Sequence, residues 1–147
     1  MRMLLSVLAC LVLLASSPVP AADAAEMTIY RNAGCGCCGK WAEHMRAAGH
    51  SVTIVDGEDM SVIKVTHAIP DNLHSCHTAL VEGYVIEGHV PAEDVARLLA
   101  EKPAIKGIAV AGMPIGSPGM ETGDGSAESY DVMAFDGAGS ESVFASH

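Results

Sequence analysis

Apolar and polar positions along the chain change period several times, and each change marks an element. Residues 4–15 form a nearly continuous apolar run that ends at Ser16-Ser17-Pro18-Val19-Pro20. Residues 27–30 (Met-Thr-Ile-Tyr) then read as a short strand. Residues 40–48 read as a helix, with Trp41, Met45 and Ala48 at helical spacing and Gly49 as the stop. Residues 51–55 predict a second strand, apolar at Val52, Ile54 and Val55. Residues 60–67 predict a short helix ending before Pro70, against the β-branched character of several of its members. Residues 78–81 and 84–87 predict two strands joined by the tight Glu82-Gly83 turn. Pro91 suits the first turn of a third helix whose buried face carries Val95, Leu98 and Leu99, while Glu93 and Asp94 complement its dipole.

The resulting order, β-α-β-α-β-β-α, is that of a thioredoxin-like α/β core with a cysteine cluster between its first strand and first helix. After Pro103 the pattern dissolves: residues 107–125 are rich in Gly, Pro and Met, and residues 130–135 and 142–144 predict a terminal hairpin. The expected organisation is a signal peptide at residues 1–24, a metal-binding core at 25–103 and an extension packed on it at 104–147. The first segment has the order of a secretory signal: Arg2, the apolar run, a proline break, then Ala21, Ala22, Ala24 and Ala25. The run is too short for a bilayer span, which needs about 20 apolar residues. Cys10 lies inside the run rather than at its end, so it reads as an ordinary apolar residue removed with the signal.

Charge narrows the function. The 147 residues carry 18 acidic and 8 basic side chains. No basic face is available for a phosphate backbone, which argues against nucleic-acid binding.

Removal of the signal leaves Cys35, Cys37, Cys38 and Cys76 of the five cysteines. An even count in an exported protein first suggests two disulfides. Adjacent Cys37 and Cys38 join poorly and a Cys35–Cys37 ring is strained, whereas Cys35–Cys38 is feasible as a C-x-x-C at a helix start. A thiol at a helix N-terminus faces unpaired N–H groups that favour the thiolate, which is both nucleophile and metal ligand. In a thioredoxin-like fold the loop before the third strand faces that terminus, and here the loop is DNLHSCHTAL. It brings Cys76 with His74 and His77. Thiol–disulfide oxidoreductases of this architecture present a proline there. Pro70 comes too early, and Ser75-Cys76-His77 favours metal binding over a disulfide substrate.

Zinc and iron–sulfur clusters also take thiolates, but zinc usually draws its sulfurs from spaced pairs and a cluster usually needs assembly before export. Thiolate together with thioether favours Cu(I). Met113 and Met120 frame the Gly/Pro-rich MPIGSPGM and could supply the thioether. The other histidines are less informative: His44 is a ligand or a solvated helix residue, His89 shapes a turn, and His50, His67 and His147 read as surface residues. Ser75 lacks the base and acid that a hydrolase would need.

Four blocks in order, CGCCGKW, SCHTA, GYVIEGHVP and GMPIGSPGM, resemble the exported metal-binding family that contains the copper-resistance protein CopG, long described only as a domain of unknown function. The resemblance covers residues 27–144. It implies a periplasmic protein of thioredoxin-like fold that binds copper through its cysteine cluster; the expected cofactor is copper, favoured as Cu(I) by the ligand types, in a site with room for more than one ion. It also implies a role in copper tolerance, with interconversion of Cu(I) and Cu(II), among other periplasmic copper-handling proteins. The ligands it implies are Cys35, Cys37, Cys38 and Cys76, followed by His77, Met113 and Met120. His67 and His74 stand where apolar or small residues are expected. The rival enzyme reading is a thiol–disulfide oxidoreductase using Cys35 and Cys38, and a third is a disulfide-stapled partner-binding domain.

Overall fold

A computed structural model describes residues 24–147, so residues 1–23 of the expected signal lie outside the described part. The elements run β1 (Glu26–Arg31), α1 (Gly36–Ala47), β2 (Ser51–Asp56), α2 (Met60–Thr66), a 3-10 turn (Asp71–Leu73), β3 (His77–Val81), β4 (Tyr84–Glu87), α3 (Ala92–Glu101), β5 (Gly107–Ala109), β6 (Asp131–Phe135) and β7 (Glu141–Ser146). The expected β-α-β-α-β-β-α order is present through α3, and the terminal hairpin is β6–β7. All seven strands form one mixed sheet in the order β2-β1-β3-β4-β5-β6-β7. The β1–β2 and β4–β5 pairs are parallel and the others antiparallel.

Both faces of the sheet centre are covered, which explains why its strands are apolar at consecutive positions. Met27, Ile29, Ala79, Ile86 and Ile108 point into one core with Trp41, Ala42 and Met45 of α1 and Val95 and Leu98 of α3. Val85, Ala109 and Phe135 point the other way, onto Ile69 and Leu73. The sheet thereby fixes where α1 begins and where the β3 loop ends, on the same side of β1.

Three details differ from the expected elements. Helix α1 begins at Gly36 rather than Lys40: the Cys35 carbonyl already accepts the Gly39 N–H at 3.2 Å, so Cys37 and Cys38 lie within its first turn. Ala48 is exposed and Ala42 completes the buried stripe with Trp41 and Met45. Strand β5 lies inside the stretch read as loop. At three residues it is too short to show a period, and pairing on both sides with Val85–Glu87 and Met133–Phe135 makes it a strand.

Candidate metal centre

The site starts where β1 hands over to α1. Cys35 occupies the N-cap position without capping the helix through its side chain, which leaves the first N–H groups without a side-chain acceptor from it. Arg31, the last residue of β1, donates to the Cys35 carbonyl at 3.0 Å and to Asp56 at 2.8 Å, so β1 and β2 together hold the cysteine loop. Cys35 and Cys38 are joined in a disulfide, with Cα atoms 5.4 Å apart, and Cys37 is a free, half-buried thiol.

Cys76 arrives from the residue before β3. Its Sγ lies 3.5 Å from Cys38 Sγ and 3.8 Å from Cys37 Sγ, and Cys35 Sγ lies 3.6 Å from Cys37 Sγ. Its loop approaches so closely that a Cβ on Gly88 would sit 2.5 Å from both Ser75 Oγ and the Val110 carbonyl; with φ at +72° the position suits only glycine. That turn carries His89 to the cluster, with Nε2 3.0 Å from Cys76 Sγ, while His77 Nδ1 lies 3.4 Å from the same sulfur. The four cysteine sulfurs converge within 4.8 Å of one another, and so do the ligand atoms of Cys76, His77 and His89.

The imidazoles are set up as lone-pair donors. A carbonyl only accepts, so the 2.8 Å contact from His89 Nδ1 to Pro118 O places the proton on Nδ1 and leaves Nε2 bare toward Cys76. His77 is fully buried, tilted against Trp41 at 4.5 Å between ring centroids and edge-on to His89 at 5.1 Å. Its Nε2 has no hydrogen-bond partner among the described residues. Burial pushes the His77 pKa well below the ordinary value, helped by His89 and Lys64, and burial also lowers that of His89. Both rings are therefore neutral near pH 7. Burial, reinforced by neighbouring Cys37, pushes the Cys76 thiol up to about 12. In the metal-free fold it is a protonated thiol whose S–H has the bare His89 nitrogen as acceptor. A soft cation that displaces this proton would find sulfur and neutral imidazole together, the donor set that thiophilic metals take.

Residues 73–120 match the family model described as a protein of unknown function, DUF411. Among solved structures, the chain is similar to the copper resistance protein CopG in its form 1, at 42% identity, covering 83% of this chain and 96% of that one with a TM-score of 0.78. It is similar to form 2 at 41% identity, covering 85% and 99% with a TM-score of 0.80. The chain belongs to the CopG family. No curated protein matches it.

Within this CopG-like chain the other residues singled out from sequence fall in distinct places. Met113 is half exposed, and Met120 is partly buried at the end of a loop closed by its own N–H to Ser117 O at 2.8 Å. The loop rests on α1: a Cβ on Gly119 would lie 2.7 Å from the Cys37 carbonyl. His44 pairs with Glu121 at 2.6 Å, and His74 turns to the Ile69 carbonyl at 3.2 Å rather than to the sulfurs. His147, read as a free surface residue, pairs with buried Asp94 at 2.7 Å. The main addition is His89, which besides shaping the turn lies with Nε2 3.0 Å from Cys76 Sγ. Its signal was a histidine flanked by Gly88 and Val90-Pro91, a sharp bend between strand and helix that reverses the chain toward the cysteines.

Proposed function

We propose that the protein is an exported, periplasmic copper-binding protein of thioredoxin-like fold that contributes to copper tolerance. In this reading residues 1–24 are removed, residues 25–103 carry the site, and residues 104–147 complete it. Copper, favoured as Cu(I), is held by Cys35, Cys37, Cys38 and Cys76 with His77, Met113 and Met120, and His89 joins them on its bare Nε2. One observation supports the proposal: three segments of the chain bring together two ligand groups that share Cys76, the four cysteine sulfurs on one side and Cys76 with His77 and His89 on the other. The similarity to the copper resistance protein CopG supports copper as the metal. Bound copper would supply a one-electron couple between Cu(I) and Cu(II).

The chain's own part is to present the donors. The Cys35–Cys38 disulfide must first be reduced to two thiols by an external dithiol, which is itself oxidised to a disulfide as it delivers two electrons and two protons. The thiols then release their protons as the metal enters, so binding weakens as pH falls. Competition with a Cu(I) chelator, under anaerobic conditions and after reduction, tests the reading on the parent and on Cys76→Ser. The expected result is tight binding by the parent and a loss of about 10-fold or more in the variant, the scale set by removing a ligand or its support. Equal affinity in both would remove Cys76 from the site.

A second reading is favoured by the Cys76–Cys38 approach of 3.5 Å. Attack by a Cys76 thiolate on Cys38 Sγ would form Cys38–Cys76 and release Cys35 as thiolate, an exchange neutral in electrons. The raised Cys76 pKa keeps its thiolate scarce near pH 7, which ranks this behind the metal reading. A reversible dithiol couple in a protein that retains no metal would reverse the ranking.

A further inference from the structure

One fully buried charged group near the centre is outside the ligand set. Glu87, the last residue of β4, is fully buried. Its Oε1 accepts the Ser75 backbone N–H at 2.7 Å, and its Oε2 accepts from Thr78 Oγ1 at 2.6 Å. Lys64 of α2, almost fully buried, donates to Glu87 Oε1 and lies 3.4 Å from Thr78 Oγ1. Ser75 and Thr78 are the residues immediately before and after Cys76-His77. One carboxylate therefore grips both ends of the dipeptide that brings a sulfur and an imidazole to the centre. Glu87 also anchors the other arm: its carbonyl accepts from Val110 at 2.9 Å, and the Gly88 N–H that follows donates to the His77 carbonyl at 3.0 Å, one residue before His89.

Stability does not account for this arrangement. Two buried charges cost desolvation that their attraction rarely exceeds, and apolar replacements of such pairs are often neutral or stabilising. What an apolar pair could not do is accept a backbone N–H beside Cys76. We propose that Glu87, neutralised by Lys64, is a positioning residue that clamps Cys76 and His77 in place for metal capture. The purpose of the clamp rests on the copper reading, but its existence does not.

Two measurements on reduced, metal-free protein test it. In the parent, the Ser75 amide should exchange hydrogen as slowly as the β3 amide of Ala79. Exchange at the rate of a free loop amide would overturn the clamp, whatever the metal. In Lys64→Met/Glu87→Gln, which removes both charges together, alkylation of Cys76 relative to Cys37 should rise several-fold. Cu(I) affinity should fall about 10-fold, as when a second-layer partner of a metal ligand is lost. Glu87→Gln alone keeps the same amide acceptor for Ser75 but leaves Lys64 buried and unpaired, so it should shift both readings at least as much. A folded double variant with unchanged alkylation ratio and unchanged affinity would also overturn the proposal. If the double variant does not fold, the Ser75 amide decides. If the parent fails to bind Cu(I), the copper reading falls while the amide and the alkylation ratio still judge the clamp.

Discussion

Gly119→Ala is the substitution whose effect the structure specifies most fully. Gly119 sits at φ +90°, and an alanine Cβ there would lie 2.7 Å from the Cys37 carbonyl oxygen and 2.9 Å from the Trp41 nitrogen. Both are backbone atoms of α1, so neither retreats by a rotamer change. The left-handed conformation costs an L-residue roughly 1–2 kcal/mol. Forcing extra volume into a packed contact costs about 1–3 kcal/mol more. The loop could escape by lifting off α1, but that would break the Pro118 contact to His89 Nδ1 and the Glu121 pair with His44 of α1. The expected destabilisation is about 2–5 kcal/mol, among the larger backbone and overpacking effects. If the loop lifts, freeing His89 should also weaken Cu(I) binding. Gly123→Ala is the matched control, because a Cβ there meets nothing within 4 Å. Urea unfolding of the reduced, metal-free proteins is the assay. A Gly119→Ala variant within about 0.5 kcal/mol of Gly123→Ala, the ordinary scatter of surface changes, would refute the reasoning.

Buried neutral histidine makes stability depend on pH. Below the ordinary histidine pKa of about 6.5 the unfolded chain binds a proton that folded His77 does not, so stability falls as pH drops and is regained above about 6.5. At pH 5.5 this is on the order of 1 kcal/mol for a ring that stays neutral, with His89 adding in the same direction. Thermal melts of metal-free protein at pH 7.5 and 5.5 should show the drop, and His77→Gln should reduce it; an unchanged slope would contradict the burial argument. Met113→Leu/Met120→Leu keeps bulk and apolarity, so folding should change little while Cu(I) affinity falls most visibly at mildly acidic pH, where thioethers do not compete with protons. Equal chelator competition by variant and parent at two pH values would return both residues to packing. The exported protein should begin near residues 22–25, and a full-length or lipid-modified mass would contradict signal cleavage.

The core was legible because its signals are local. Trp41 and Met45 mark one helix face, Glu82-Gly83 marks a turn, and Pro91 with Glu93 and Asp94 marks a helix start. The placement of Cys76 against the α1 terminus was legible only through the order of elements. His89 was not, because its membership depends on how Gly88 packs against Ser75 and Val110 in space. Glu87 and Lys64 lie in a hairpin strand and a short helix, 23 positions apart, and nothing local links them. Only pairing β3 with β4 beneath α2 joins them. Strand β5 escaped because three residues between loops carry no period of their own.

The cysteine cluster should take up Cu(I) once its disulfide is opened. Anaerobic Cu(I) titration, with free thiols counted in parallel, tests this on protein reduced and then freed of reductant, and on protein keeping Cys35–Cys38 oxidised. The reduced form should bind Cu(I) strongly, with its thiols protected in proportion to metal added, and the oxidised form much more weakly. Tighter binding of zinc than of Cu(I), or Cu(I) uptake that leaves all four thiols freely titratable, would contradict this expectation.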